Sequence, residues 1–323
     1  MKNHNLYDQC KLCPRECDVA RSQGQKGICG VTDRLRIARA ALHFWEEPCI
    51  SGTKGSGAVF FGGCALHCVF CQNEPIAQGN VGKEVTVENL TEIFLELQEQ
   101  GANNINLVTP GQYVPHIISA VEAARVQGMT LPVIYNTGGY EKVDTLKMLE
   151  GIVDVYLPDF KYMDETLSLQ FSKAPDYARV AKAAVAEMVR QQPKCVFGWE
   201  ETGQNRMEEP SEACEGALIR QGVMVRQLLL PGHRKDAERI VRYLYETYGN
   251  QIYLSMMNQY TPLFNERARK FPELSRTVTR REYERLIDYA LDLGVEQAFI
   301  QEGETAKESF IPDFNCEEGV KFF

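Results

Sequence analysis

From about residue 51 onward the chain alternates short apolar or β-branched runs with segments of helical period, and this alternation limits the fold more than any other feature. GAVFFGGC precedes TVENLTEIFLELQEQG, INLVTP precedes YVPHIISAVEAARVQG, and PVIYNTGGY precedes KVDTLKMLEG. DVYLPDFKY leads into two helical stretches that reach Gln191; the series resumes with GVMVRQLLLPG, DAERIVRYLYETYG, QIYLSMM and TRREYERLIDYALDLG. Strands that alternate with helices are joined by right-handed crossovers and lie parallel in one sheet covered by helices. Six such units predict an α/β fold, a partial (β/α)6 TIM-like barrel rather than the full eight, and 323 residues suffice for one core of that kind. Residues 1–50 lack this periodicity and are rich in Cys, Gly, Arg and Lys, so we expect a small Cys-rich N-terminal metal-binding segment there and the barrel over 51–323. Residues 193–216 are polar and punctuated by Pro and Gly, which predicts a surface loop inserted before the fifth strand.

A formal net charge of -9 gives no general attraction for phosphate backbones or anionic membranes, so nucleic acid is not an expected partner, although Arg267, Arg269 and Lys270 form a local basic patch. No apolar run approaches the ~20 residues of a membrane span, and the opening residues lack the apolar stretch of a signal peptide. We expect a cytoplasmic protein without a membrane partner.

Eleven cysteines are many for a compartment that keeps thiols reduced, and close spacing there points to metal before disulfide. Cys10, Cys13, Cys17 and Cys29 form a C-x2-C-x3-C-x11-C set, and Cys64, Cys68 and Cys71 form a C-x3-C-x2-C set. Three thiolates within eight residues, on the loop after the first barrel strand, fall one short of the four that enclose a 4Fe-4S cube. The iron left open is where such a site would engage a ligand.

In parallel α/β architectures the chemistry gathers at the C-terminal strand ends. Those ends read GGC, VTP, YNTGG, PDFK and LPG. Asp159 and Lys161 flank Phe160, so on a strand they face one side together, and an acid and a base facing a barrel interior must pair or bind something charged. Arg226, in the otherwise apolar VMVRQLLLP, is a guanidinium suited to a carboxylate.

The stretch EEPCISGTKGSGAVFFGGCALHCVFCQNEPI resembles the radical S-adenosylmethionine (SAM) superfamily, and within it uncharacterised proteins similar to pyruvate formate-lyase activating enzymes. The likeness continues through LCPREC, NLVTP, YNTGGY, DVYLPDFKYMD, APDY, LLLPG and MNQYTP, nearly the whole chain. It implies a 4Fe-4S cluster on Cys64, Cys68 and Cys71, reductive cleavage of SAM to methionine and a 5'-deoxyadenosyl radical, and hydrogen abstraction from a protein or small-molecule substrate. Activation of a glycyl-radical enzyme is one version of that reaction. An electron donor such as flavodoxin or ferredoxin is implied too. The resemblance sets Phe70 against the adenine and assigns the SAM pocket to Asn136, Thr137, Gly138, Asp159 and Lys161, with Arg226 beside them. The chain departs from the pattern at Asn136, where the activating enzymes carry Asp, and at NLVTP, where Thr109 replaces their Gly-Gly-Glu run.

Cys10, Cys13, Cys17 and Cys29 could close either a zinc site or a second Fe-S cluster, with Cys49 able to stand in as a ligand. Cys195, Cys214 and Cys316 read as isolated thiols. The competing function is an iron-sulfur carrier or redox sensor without SAM cleavage, which has no need for polar groups at the later strand ends.

Overall fold

The structure, a computed structural model, describes residues 6–199, 216–263, 267–301, 314 and 319–320. Its strands are β1 (Arg36–His43), β2 (Ser56–Phe61), β3 (Lys83–Glu84), β4 (Ile105–Val108), β5 (Val133–Thr137), β6 (Val155–Pro158), β7 (Val196–Trp199), β8 (Ala217–Leu228), β9 (Tyr253–Met257) and β10 (Ala298–Ile300). They join in the order β10-β9-β8-β6-β5-β4-β2-β1-β3, with β7 attached to β8. The six strands read from the sequence, β2, β4, β5, β6, β8 and β9, pair in parallel with one another in that order.

Both faces of this parallel region are covered, as its apolar strands require. Every residue of β2, β4, β6 and β9 is buried. Helices Val87–Glu99 and Arg280–Leu293 start at capping boxes, Thr86 with Asn89 and Thr279 with Glu282, which satisfy otherwise orphaned backbone donors. No helix among the described residues is long and apolar enough to cross a membrane.

Four strands escaped the sequence reading. β1 lies antiparallel to β2, from Ile37 opposite Phe61 to His43 opposite Ser56, so the sheet reaches back into residues 1–50. β3 adds to β1, and the three-residue β10 adds to β9 in parallel. Residues 193–216 were expected to be loop; instead Val196–Trp199 form β7, antiparallel to the start of β8. The cause is apolar packing, since the Phe197 ring lies 5.1 Å from that of Tyr253. Residues 200–215, with Cys214, and residue Cys316 lie outside the described residues.

Residues 6–35 contain one short 3-10 turn, Arg21–Gln23, and their own small apolar cluster of Tyr7, Cys10 and Leu12. Side-chain bonds fasten them to the cysteine loop and to the helices that flank the sheet. Arg15 donates to the carbonyls of Ala65 and Ser172, Thr145 Oγ1 donates to Leu12 O at 2.7 Å, and His116 Nε2 lies 2.8 Å from Asp33 O.

Candidate metal centre and adjoining cavity

Cys64, Cys68 and Cys71 lie on the loop that leaves β2. Gly63 has φ +90°, and a Cβ there would meet the Cys29 carbonyl oxygen at 2.7 Å, so only glycine lets the loop pass. Gln112 then ties the loop down: its Nε2 donates to the carbonyls of Gly62, Gly63 and Thr109. Hydrogen bonds also reach the sulfurs themselves, from Leu66 N–H to Cys64 Sγ (3.4 Å) and from Ser172 Oγ to Cys68 Sγ (3.0 Å). Burial pushes the Cys64 thiol up to about 11 and raises Cys71 as well. At neutral pH these are protonated thiols, and a metal would have to displace the protons to gain its thiolates.

Beside the thiols opens a cavity of about 240 Å³. Phe70, Thr109, Asn136, Thr137, Gly138, Asp159, Lys161 and Arg226 all line it together with the three cysteines. Residues from four strand ends and the cysteine loop therefore meet on one wall. Thr109 holds a left-handed backbone, φ 55°, an uncommon state for a β-branched residue, fixed by Thr109 N–H donating to Asn136 O at 2.8 Å. The Phe70 ring makes edge contacts with Tyr162, Phe171 and Tyr260, which sets its orientation.

Lys161 Nζ pairs with Asp159 Oδ2 at 2.6 Å. Burial works against the Lys161 charge, but Asp159 and the Cys68 sulfur outweigh it and raise its pKa. Thr137 is already engaged: its hydroxyl donates to the buried carboxylate of Glu141, which desolvation lifts to about 7. Arg226 is engaged too. It donates to Glu46 and Glu47, and among the described residues its Nη1 alone has no acceptor in the protein. Burial would raise the Glu47 carboxyl; the Arg226 guanidinium reverses that and holds it below its ordinary value. Glu46 also accepts from Asn106 Nδ2 at 2.9 Å.

Glu46, Glu47, Gln112 and Glu141 were not singled out by the sequence reading. Its only signal for the first two was a pair of acids before a proline in FWEEPC, which reads equally well as a solvated turn.

Of the N-terminal cysteines, Cys13 and Cys29 line one small cavity together with Cys64, and burial raises both of their thiols. The sulfurs of Cys17 and Cys29 flank Gly27, at 3.5 and 3.4 Å from where its Cβ would stand. Cys49 does not join them. It packs with Ile50, Ile134 and Leu157 in a separate apolar cluster next to Cys195, so its expected service as a substitute ligand there is corrected. Among the described residues no three His, Cys, Asp or Glu side chains are grouped for a single metal ion.

A family model described as the radical SAM superfamily matches residues 58–192. Residues 58–192 are a radical SAM domain. That domain contains every cavity residue named above except Glu46 and Arg226. An uncharacterized protein of Methanocaldococcus jannaschii is similar at 26% identity over 301 residues, 90% of this chain and 77% of that protein. Among solved structures, Streptococcus suis SuiB bound to S-adenosylmethionine is similar at 14% identity and TM-score 0.47, over 74% of this chain and 48% of that one. SuiB bound to precursor peptide SuiA gives 13% identity and TM-score 0.44, over 73% and 46%. The chain thus spans about half the length of the solved structures it matches.

The radical SAM superfamily implies a 4Fe-4S cluster and SAM, and the residues present suit both. Three thiols with hydrogen-bond donors on two of their sulfurs face a cavity whose wall offers an ammonium, amide and hydroxyl groups and an aromatic ring.

Proposed function

We propose that this chain is a radical SAM enzyme whose 4Fe-4S cluster is held by Cys64, Cys68 and Cys71 and whose SAM occupies the adjoining cavity. The observation that carries this reading is the single wall on which those thiols stand with Phe70, Thr109, Asn136, Thr137, Gly138, Asp159, Lys161 and Arg226. When bound, the cluster and SAM supply a one-electron cleavage that yields methionine and a 5'-deoxyadenosyl radical able to take hydrogen from a substrate. The protein's work is to bind and orient SAM and to exclude water. Phe70 offers an apolar face to the adenine. Asn136 and the backbone at Thr109 and Gly138 offer hydrogen-bonding groups to the ribose and the amino acid end of SAM. Lys161, kept charged by Asp159, faces the carboxylate end of the ligand, and Arg226 has the two N–H donors of Nη1 left for it.

The parallel sheet serves this site as a partial (β/α)6 barrel over residues 51–323, with 1–50 as the metal-binding segment. Cys10, Cys13, Cys17 and Cys29 are the ligands of a second centre, zinc or iron-sulfur. The enzyme works in the cytoplasm and takes its electron from a flavodoxin or ferredoxin. Its substrate is a protein or a small molecule rather than nucleic acid; glycyl-radical enzyme activation, in the manner of a pyruvate formate-lyase activating enzyme, is the specific version to test first. An iron-sulfur carrier or sensor is the rival, but it gives no reason for the charged and polar wall.

The test is anaerobic reconstitution with iron and sulfide, addition of SAM and dithionite, and an assay for 5'-deoxyadenosine. Formation that depends on Cys64, Cys68 and Cys71 is expected. A loaded cluster that leaves SAM intact would move the protein to the carrier class.

A further inference from the structure

We propose that Tyr177 is a positioning residue of the SAM cavity: from behind the wall its hydroxyl fixes the backbone of Gly138, Asp159 and Lys161, and so sets how well SAM binds without touching it. This deepens the reading above and rests on it for the occupant of the cavity.

The residue comes from APDY, residues 174–177, none of which lines the cavity. Tyr177 opens the helix Tyr177–Gln191, and its N–H closes a turn on Ala174 O at 3.0 Å. Its ring is fully buried among three other aromatic rings. Tyr140 stacks parallel to it at 6.1 Å, while Tyr162 and Phe160 meet it edge-on at 5.2 and 6.2 Å. Tyr140 is held in turn by its own hydroxyl, which donates to Asp176 Oδ1 at 2.7 Å. Packing on these sides fixes where the Tyr177 hydroxyl stands.

That place is where β5 and β6 end. The hydroxyl accepts from Lys161 N–H at 3.0 Å and shares its one proton between Gly138 O at 2.8 Å and Asp159 O at 2.9 Å. Gly138 directly follows β5, and Asp159 directly follows β6, so one oxygen ties the two strand ends together. The ends run close. At Gly139, φ +77°, a Cβ would overlap the Asp159 carbonyl oxygen and stand 2.9 Å from the hydroxyl.

The sheet itself stops short of the groups that face the ligand. Past Pro158 it gives the chain an isolated bridge between Asp159 and Arg226, and Lys161 lies two residues further on. The hydroxyl takes over where the ladder ends. Gly138, Asp159 and Lys161 all line the cavity, whereas Tyr177 does not, so whatever it does for SAM passes through those three. A binding group has to be held to a fraction of an ångström, and its support decides whether it is.

Tyr177→Phe removes the oxygen and keeps the ring. In the full chain without metal, the Lys161 amide should exchange its hydrogen slowly in the parent and about tenfold faster or more in the variant. Fast exchange in the parent, or equal exchange in both, would overturn the proposal without reference to SAM. In the reconstituted protein with dithionite, deoxyadenosine formation should show a KM for SAM raised about tenfold and a kcat within about threefold of the parent, the mark of lost binding rather than lost chemistry. A merely structural loss removes active molecules, which lowers the apparent kcat and leaves KM alone. Tyr283→Phe is the control, since its buried hydroxyl likewise donates to a carbonyl, Met256 O at 2.7 Å, and accepts from an amide, Gln301 N–H at 2.8 Å. It should lose stability and keep the parental KM. An unchanged KM in Tyr177→Phe, or an equal rise in Tyr283→Phe, would make Tyr177 scaffold. A parent that binds no SAM in calorimetry would overturn the reading of the cavity and this role with it; a parent and a Tyr177→Phe variant that bind it equally would overturn this role alone.

Discussion

Lys161 Nζ and Asp159 Oδ2 lie 2.6 Å apart on the cavity wall, while the ring of Phe160 between them is fully buried on the other side. The pair is therefore ready-made: each charge has a partner before any ligand arrives, and neither is free of the site. Asp159→Asn should lower SAM affinity and deoxyadenosine formation at least tenfold. Its effect on stability should be smaller than the ~3–5 kcal/mol that breaking a fully buried pair costs, since both side chains keep some contact with the cavity. Melting temperature without SAM, set beside SAM affinity, separates the two effects; an early-melting variant with normal affinity would make the pair scaffold.

Arg226 should behave differently. With Glu46 and Glu47 both against it, Arg226→Met leaves two acids facing each other in a buried wall. We expect a loss of roughly 3–5 kcal/mol, seen as a lower denaturant midpoint, and partial recovery when Glu47→Gln is added. A variant as stable as the parent would show that ligand binding, not the wall, is what Arg226 serves.

Glu141 gives a pH signature. Burial raises its carboxyl to about 7 in the fold against the ordinary 4.5. Between those values the folded protein holds a proton that the unfolded chain has released, so stability falls as pH rises from about 4.5 to about 7 and then levels off. The span is on the order of 3 kcal/mol at most. Denaturation of the metal-free protein across this range should show the slope, and Glu141→Gln should flatten it.

Gly63→Ala tests the crossing of the two cysteine sets. A Cβ 2.7 Å from Cys29 O, at φ +90°, must push the loop away. We expect more than about 1 kcal/mol of destabilisation and reduced iron content after reconstitution. Full loading with parental stability would mean that the loop has slack.

The parallel order of strands and most of the cavity wall were legible because a short apolar or β-branched run followed by a helical period repeats six times, and the wall residues stand at the ends of those runs. β1 was hidden by composition: RIARAALH carries two arginines and buries residues in pairs rather than alternately. β10, at three residues, is too short to show a period. Glu46 and Glu47 could not be read as wall residues because what buries them is Arg226, about 180 positions later. Gln112 acts through an amide that reaches the carbonyls of Gly62 and Gly63 about 50 positions earlier, which leaves no local pattern.

Arg15, Thr145 and His116 bear on how the protein comes into being. The anchors of the segment before residue 35 are Ala65, His116, Thr145 and Ser172. The Arg15–Ser172 bond alone spans 157 positions. Closing contacts of that reach costs chain entropy that nothing local repays, so this segment should settle only once the helices that carry its anchors are in place.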